Sequence, residues 1–317
     1  MKWVLRILGI IFAIIFIALI VLRVPDTDPV EMRVKYGVEP SQFVELSDGL
    51  EMHFRDEGPR DAQVILMLHG SNADLSTWDA WTQNLKQDYR IIRFDQIGHG
   101  LTGPAVDDDY SLASFGADIN EIADELQLEN FILAGNSMGG VIAMHYAINT
   151  PERLDGLILV DAGGAPIKRE GGGNLAFTLA QIPGINSILA TMTPRSLVDR
   201  SLRQSVSNQD IVTEQIVDRY WEMARYPGNR AATLKRFSTP RSPFDASTVA
   251  QVDVPTLVIW GEEDSLIPYE AAGWFMDQLP NATLANYPGI GHLPHEEAAA
   301  QTVADLRLWL ETQQASE

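Results

Sequence analysis

Apolar and polar positions along the chain form a pattern of short strands separated by helices. Apolar runs that fit buried strands alternate with segments whose apolar residues repeat every three or four positions, as on one face of a helix. The predicted strands cover residues 43–46, 52–54, 64–68, 89–94, 131–134, 157–160, 256–260 and 282–287. Strands that alternate with helices in this way predict an α/β fold with a mostly parallel sheet covered by helices on both faces.

One long interval breaks this alternation. Residues 163–252 contain helical stretches but no clear strand. A segment of this length between two core strands predicts an inserted helical domain rather than a loop. Ligands bind at the carboxyl ends of the strands in open α/β sheets, so a lid over that edge is favoured over simple packing. The predicted domains are a core of residues 40–164 and 253–317 and a helical cap or lid of residues 165–252.

The amino-terminal segment has a different pattern. Residues 7–22 are an unbroken apolar run without charge, and counting from Trp3 gives enough helix to cross a bilayer of about 30 Å. A secretory signal peptide is the competing interpretation, but no small-x-small cleavage site closes the run. The sequence therefore predicts an uncleaved transmembrane signal-anchor over residues 3–22 and a linker over residues 23–39. Lys2 and Arg6 precede the run, so we expect a single-pass membrane protein whose main domain is extracytoplasmic.

Composition excludes several classes of function. The 317 residues include 43 Asp and Glu against 23 Lys and Arg, a formal net charge of −20. This charge argues against nucleic acid as a partner. The chain has no cysteine, which excludes disulfides, thiolate zinc sites and cysteine nucleophiles.

The strongest chemical motif lies between the strand at residues 131–134 and the helical segment that follows it. It reads Gly135-Asn136-Ser137-Met138-Gly139, a match to Gly-x-Ser-x-Gly. A chain that passes from strand to helix within one residue strains the central residue and needs very small neighbours two places away on either side. Such a turn exposes the Ser137 hydroxyl at the tip of the strand, as expected of a nucleophile. The alternative is a glycine-rich loop with a solvent-facing serine.

A serine nucleophile needs a base, and the base needs an acid that orients it. His292 is the predicted base, because it follows the last strand in a glycine-rich loop that can return to the motif. Asp264, which follows the strand at residues 256–260, is the predicted acid. Asp161 occupies the equivalent position one strand earlier and is the alternative.

The other histidines have weaker claims. His69 and His99 lie in glycine turns, where a structural hydrogen-bonding role is expected, and the remaining candidates are His53 and His145. His292 and His295 form a His-x-x-His pair, but the proline between them breaks the helix that a metal site of this spacing needs, so no metal is predicted. Residues 98–103 match Gly-x-Gly-x-x-Gly, but a proline and three aspartates follow where a dinucleotide site needs a helix N-terminus. No cofactor is predicted.

The order Ser137, Asp264, His292 resembles that of the α/β-hydrolase fold family, in which the nucleophile precedes the acid and the acid precedes the histidine. His69-Gly70-Ser71 is similar to the oxyanion loop of that family, and the resemblance covers residue 43 to the end of the chain. It implies that the backbone N–H groups of Ser71 and Met138 form the oxyanion hole.

The resemblance implies a serine hydrolase that forms an acyl-enzyme on Ser137. Our first hypothesis is a carboxylesterase or lipase that takes a small ester with an apolar acyl group. One alternative is a carbon–carbon bond hydrolase of the meta-cleavage type, although its oxyanion loop usually contains more glycine than Ser71-Asn72-Ala73-Asp74. A further alternative is a homologue that binds small molecules with little turnover.

Overall fold

The apolar runs form an eight-stranded sheet in a computed structural model that describes residues 23–167 and 191–314, together with residues 3, 6, 7, 9 and 10. In chain order the strands are β1 (Ser41–Glu45), β2 (Glu51–Glu57), β3 (Val64–Leu68), β4 (Arg90–Phe94), β5 (Phe131–Asn136), β6 (Leu154–Val160), β7 (Thr256–Gly261) and β8 (Ala282–Tyr287). Their order across the sheet is β1-β2-β4-β3-β5-β6-β7-β8. Only the pairs β1–β2 and β2–β4 are antiparallel in this sheet, which confirms the predicted mostly parallel arrangement.

Helices connect these strands. In chain order they are α1 (Pro29–Tyr36), α2 (Asp79–Leu85), α3 (Leu112–Glu125), α4 (Met138–Asn149), α5 (Arg195–Ser205), α6 (Glu214–Ala224), α7 (Asn229–Ser238), α8 (Ala246–Val249), α9 (Glu270–Gln278), α10 (Pro294–Glu297) and α11 (Ala299–Gln314). Short 3₁₀ turns cover Leu75–Trp78, Pro151–Arg153 and Gln209–Ile211.

The central strands are apolar throughout because both faces of the sheet are covered. On β3, Ile65 and Met67 pack into a cluster with residues of α2 and α11. Leu66 and Leu68 point the other way and pack with residues of α3, α4 and α9. Successive side chains of a strand point to opposite faces, so a continuous apolar run fills two cores at once.

The described part of the interval between β6 and β7 is helical. Its described residues form α5 to α8 and contain no strand, whereas residues 168–190 lie outside the part of the chain that the structure describes. Apolar residues of this insert pack against the loops that follow β3 and β8. The cluster consists of Leu202, Val206, Val212, Val217 and Tyr220 of the insert together with Ala73 and Leu293. The insert therefore contacts the edge of the sheet where the parallel strands end.

The prediction of a transmembrane helix over residues 3–22 is overturned. A bilayer-spanning helix needs about 20 consecutive apolar residues. No helix among the described residues is long and apolar enough to cross a membrane, and residues 4, 5, 8 and 11–22 of the predicted span lie outside them. The expectations of a membrane partner, of single-pass membrane localisation and of an extracytoplasmic catalytic domain rested on that span and are withdrawn with it.

The segment predicted as a linker, residues 23–39, contains a helix. Asp28 caps α1, since its carboxylate accepts hydrogen bonds from the N–H groups of Val30 and Glu31 at 2.8 and 3.1 Å. Lys35 and Tyr36 each donate a hydrogen bond to the Glu222 carboxylate of α6 at 2.7 Å. The segment is thereby attached to the insert.

Asp118 on α3 makes the stability of the fold dependent on pH. Its Oδ2 atom is buried and has no hydrogen-bond partner in the part of the chain that the structure describes. Burial, reinforced by nearby Asp48 and Glu121, raises the pKa of this carboxyl from its ordinary value of 3.8 to about 8. Because the pKa is higher in the folded chain, the stability contributed by neutral Asp118 is complete below about pH 4 and is lost as the pH rises through about 8.

Asp118→Asn should therefore stabilise the protein at pH 8 by about 2 kcal/mol and have little effect near pH 4. The full pKa shift would give a larger value, but the side chain is partly open to water, which weakens the effect. Denaturant unfolding at the two pH values measures the difference. Glu125→Gln, which removes an exposed charge from the same helix, is the matched control. Equal stabilisation by Asp118→Asn at both pH values would contradict the assignment.

Candidate active site

The turn between β5 and α4 holds Ser137 in a strained conformation. Its φ of 54° and ψ of −111° lie where residues other than glycine are uncommon. A Cβ atom added to Gly135 would lie 2.2 Å from the Gly139 carbonyl oxygen, and one added to Gly139 would lie 2.3 Å from the Leu68 carbonyl oxygen. Neither position has room for a side chain, which explains the spacing of the motif.

The loops after β7 and β8 bring Asp264 and His292 into contact. The Nδ1 atom of His292 lies 2.6 Å from Oδ2 of Asp264, and the two residues are only 4% and 8% exposed. The other carboxylate oxygen of Asp264 accepts hydrogen bonds from the N–H groups of Leu266 and Ile267 at 2.7 and 3.0 Å. An imidazole that donates its Nδ1 proton to a fixed carboxylate keeps Nε2 as an acceptor, which is the form that a general base requires.

Backbone contacts fix the His292 loop beside the serine turn. Asn136, the neighbour of Ser137, donates a side-chain hydrogen bond to the His292 carbonyl at 3.2 Å. The Glu297 carboxylate accepts from the N–H of Gly291 at 2.9 Å, and the N–H of His292 donates to the carbonyl of Ser205 in the insert at 2.8 Å. The histidine is thus positioned by the core and the insert together. Sequence reasoning missed this role of Glu297.

Asp161, the alternative acid, lies in the same buried cluster but is not the direct partner of the histidine. A carboxylate oxygen of Asp161, a carboxylate oxygen of Asp264 and a ring nitrogen of His292 all lie within 4.8 Å of one another. Burial, and then the neighbouring Asp264, raise the pKa of the fully buried Asp161 carboxyl well above its usual range. Two carboxyl groups this close cannot both ionise readily, so Asp161 is the one that keeps its proton.

The two residues expected to form the oxyanion hole lie at the ends of neighbouring strands. Ser71 follows β3 and Met138 begins α4. The loop passes close to the serine turn, because a Cβ atom added to Gly70 would lie 3.3 Å from the Ser137 Cβ atom. Arg236 of α7 contacts both residues, with its Nη1 atom 2.9 Å from Ser71 Oγ and 3.1 Å from Met138 Sδ. No motif in the sequence indicates a role for this arginine, which lies in a polar helical stretch of the insert.

The histidines of the glycine turns make the structural contacts expected of them. The His69 ring donates from Nδ1 to the Gly70 carbonyl at 2.8 Å and accepts at Nε2 from the N–H of Gln96 at 3.1 Å. Nδ1 of His99 lies 3.1 Å from the Ile97 carbonyl oxygen. Burial lowers the pKa of both rings, so both remain neutral.

The remaining histidines are distant from the chemistry or hold other partners. Nδ1 of His53 lies 2.7 Å from Asp95 Oδ2. His295 is fully buried and stacks on Trp78 with 4.3 Å between ring centroids. Burial, and then nearby His292, lower the pKa of His295 to about 3, so it stays neutral. His145 lies on α4 and is half-buried.

Comparison with known proteins finds a family model and relatives that match most of this chain. A family model described as the alpha/beta hydrolase fold matches residues 63–299. The 2-hydroxy-6-oxononadienedioate/2-hydroxy-6-oxononatrienedioate hydrolase of Comamonas testosteroni is 28% identical over 276 residues, which cover 82% of this chain and 92% of that protein.

Solved structures share the fold at lower identity. A meta-cleavage product hydrolase from Pseudomonas fluorescens has a TM-score of 0.73 at 21% identity, with 86% of this chain and 97% of that chain covered. A thermophilic esterase from Thermogutta terrifontis has a TM-score of 0.70 at 22% identity, with 86% and 98% covered.

Proposed function

The chain belongs to the α/β-hydrolase fold family, and from that premise we propose that it is a serine hydrolase in which Ser137 attacks a carbonyl carbon. The contact of 2.6 Å between His292 Nδ1 and Asp264 Oδ2, beside the strained serine turn, carries this proposal. Hydrolase activity follows from the family, whereas the roles of the individual residues are proposed here.

In this mechanism His292 takes the proton from the Ser137 hydroxyl as the oxygen adds to the carbonyl carbon. Asp264 stabilises the imidazolium that forms. The backbone N–H groups of Ser71 and Met138 donate hydrogen bonds to the developing oxyanion. His292 then gives its proton to the leaving group, and water hydrolyses the acyl-enzyme with the same histidine as base.

We propose that the protein cleaves a carbon–carbon bond next to a ketone. The support is the 28% identical relative, whose name describes a 2-hydroxy-6-oxo substrate. The dienol first tautomerises, since its 2-hydroxyl loses a proton and C5 gains one, which places an enone beside the C5–C6 bond. After Ser137 adds to the C6 ketone, the C5–C6 bond breaks as the acyl-enzyme carbonyl forms, and its electron pair delocalises through the enone to the 2-oxo oxygen. His292 supplies the proton to the released fragment, and one water molecule completes the hydrolysis. The earlier preference for an ester therefore becomes the second candidate.

An ester substrate remains a distinct second candidate because of the oxyanion loop. Ser71-Asn72-Ala73-Asp74 is poorer in glycine than the loop usual in carbon–carbon hydrolases. A carboxylate oxygen of Asp74 lies 3.3 Å from Nε of Arg219 on α6. The composition of this loop is therefore what supports the ester as the second candidate.

We also propose that the helical insert, expected as a cap over residues 165–252, covers the substrate. The packing of α5 and α6 on Ala73 and Leu293 supports this, since these residues flank the oxyanion loop and the histidine. A cap at this edge would exclude water from the carbonyl and define the pocket for the acyl group.

The two candidates predict opposite substrate preferences. We expect the full chain to hydrolyse 2-hydroxy-6-oxononadienedioate, followed by loss of its dienol absorbance, with a kcat/KM at least about 10-fold above that for p-nitrophenyl esters of any acyl length. Ser137→Ala should remove both activities. Ester turnover that depends on acyl length and on Ser137, without turnover of the dienoate, would replace the first candidate by the second. A protein that binds ligands without either turnover would point to the small-molecule-binding alternative.

A further inference from the structure

One buried guanidinium contacts both residues that are expected to form the oxyanion hole. Arg236 on α7 is only 3% exposed. Its Nη1 atom donates to Ser71 Oγ at 2.9 Å and lies 3.1 Å from Met138 Sδ. Its Nη2 atom donates to Asn72 Oδ1 at 3.3 Å and to Thr233 Oγ1 at 3.1 Å. The insert thus places a cation on the oxyanion loop and on the first residue after Ser137.

The charge of Arg236 has no acidic partner in the described part of the chain. The atoms that it contacts belong to two hydroxyls, an amide and a thioether, all of them neutral. Arg93, another buried arginine, instead pairs with Glu57 at 2.8 Å and with Asp79 at 2.5 Å. Burial, and then nearby Arg241, lower the pKa of Arg236 to about 9, so it remains a cation at neutral pH. A buried cation without a counter-charge is costly and calls for a functional reason.

Direct pairing of this cation with a substrate anion is disfavoured by the geometry. Both Nη atoms already have partners, and Nε is buried without a hydrogen-bond partner among the described residues. Nε faces Gly98, since a Cβ atom added there would lie 3.7 Å away. Since the Nη atoms are engaged and Nε is directed at the protein interior, Arg236 acts through its field and through the residues that it holds.

We propose that Arg236 is a positioning residue for the oxyanion hole. It holds Ser71 and Met138 in place, and its uncompensated charge stabilises the negative charge that develops on the carbonyl oxygen. This inference rests on the proposed function. In a dry site a fixed cation stabilises a developing oxyanion far more than it would in water. Because Arg236 belongs to the insert, a correctly packed insert is also needed for a complete oxyanion hole.

A merely structural role predicts a different outcome. Anchoring of α7 does not depend on Arg236 alone, because the Asn229 side chain donates to the Gly100 carbonyl at 3.0 Å. Two substitutions separate charge from hydrogen bonding. Arg236→Lys keeps the charge, whereas Arg236→Gln keeps a hydrogen-bonding side chain without the charge.

The readout is the rate at which a fluorophosphonate labels Ser137 in the full chain, since the phosphoryl oxygen must occupy the oxyanion hole whatever the natural substrate is. We expect Arg236→Gln to lower the maximal labelling rate about 10- to 100-fold with little change in the probe concentration at half-maximal rate. Arg236→Lys should remain within about 5-fold of the wild type. Arg241→Met is the matched control and should be labelled at the wild-type rate. Arg241 donates a hydrogen bond to the Tyr110 carbonyl at 3.3 Å.

Two outcomes would overturn the role of Arg236. They are a folded Arg236→Gln variant that labels at the wild-type rate, and an Arg236→Lys variant as slow as Arg236→Gln. Thermal unfolding of each variant shows whether the fold is kept. A wild-type chain that is not labelled at all would instead refute the proposed serine chemistry, and the inference about Arg236 would fall with it.

Discussion

Ser137→Ala is expected to lower kcat by about 10⁴- to 10⁶-fold on any substrate that the protein hydrolyses, with little change in KM. The substitution removes the oxygen that attacks the carbonyl and leaves the oxyanion donors in place. The fold should survive, because alanine is smaller than serine and the turn is constrained by Gly135 and Gly139 on either side. Steady-state kinetics together with thermal unfolding measure both effects.

Ser265→Ala is the matched control for this result. Ser265 follows Asp264 directly, and its hydroxyl donates to the Gln204 carbonyl at 3.0 Å, away from the proposed chemistry. It should retain activity within about 3-fold. A folded Ser137→Ala variant that kept more than a tenth of wild-type kcat would show that Ser137 is not the nucleophile.

Asp264→Asn is expected to lower kcat by about 10³- to 10⁴-fold. The carboxylate now accepts the Nδ1 proton of His292 at 2.6 Å, whereas an amide that turned its NH₂ group toward the ring would favour the wrong tautomer. The oxygen that accepts from Leu266 and Ile267 would keep its contacts, so the local backbone should not change. The pH dependence of kcat/KM, measured for the variant and for the wild type, shows whether His292 has lost its function as the base.

Asp161→Asn distinguishes the two candidate acids. Asp161 keeps its proton in the buried cluster, and asparagine matches a protonated carboxyl in size and in its ability to donate. Its Oδ1 atom accepts from the N–H of Gly261 at 3.1 Å, a contact that the amide oxygen can retain. We expect kcat within about 10-fold of the wild type. A loss equal to that of Asp264→Asn would make Asp161 the orienting acid instead.

The sheet could be predicted from the sequence because its central strands are buried on both faces. Ile65 to Leu68 form an uninterrupted apolar run, and such runs are typical of parallel strands that are buried on both faces. The candidate site could be proposed from the sequence for a related reason, since Ser137, Asp264 and His292 each follow a strand and the carboxyl ends of parallel strands meet at one edge.

The contacts of the insert could not be predicted in this way. Arg236 and Ser71 are 165 positions apart, and their hydrogen bond depends on how α7 packs on the core. No periodicity or local motif encodes such a long-range contact. The predicted amino-terminal anchor rested on hydropathy alone, and no helix among the described residues is long and apolar enough to cross a membrane.

Mass mapping of a fluorophosphonate adduct on the full chain tests the proposed covalent chemistry. We expect a single adduct, on the peptide that contains Ser137, and none on the Ser137→Ala variant. An active wild-type chain that remained unmodified, or an adduct confined to another residue, would contradict the assignment of Ser137 as the nucleophile.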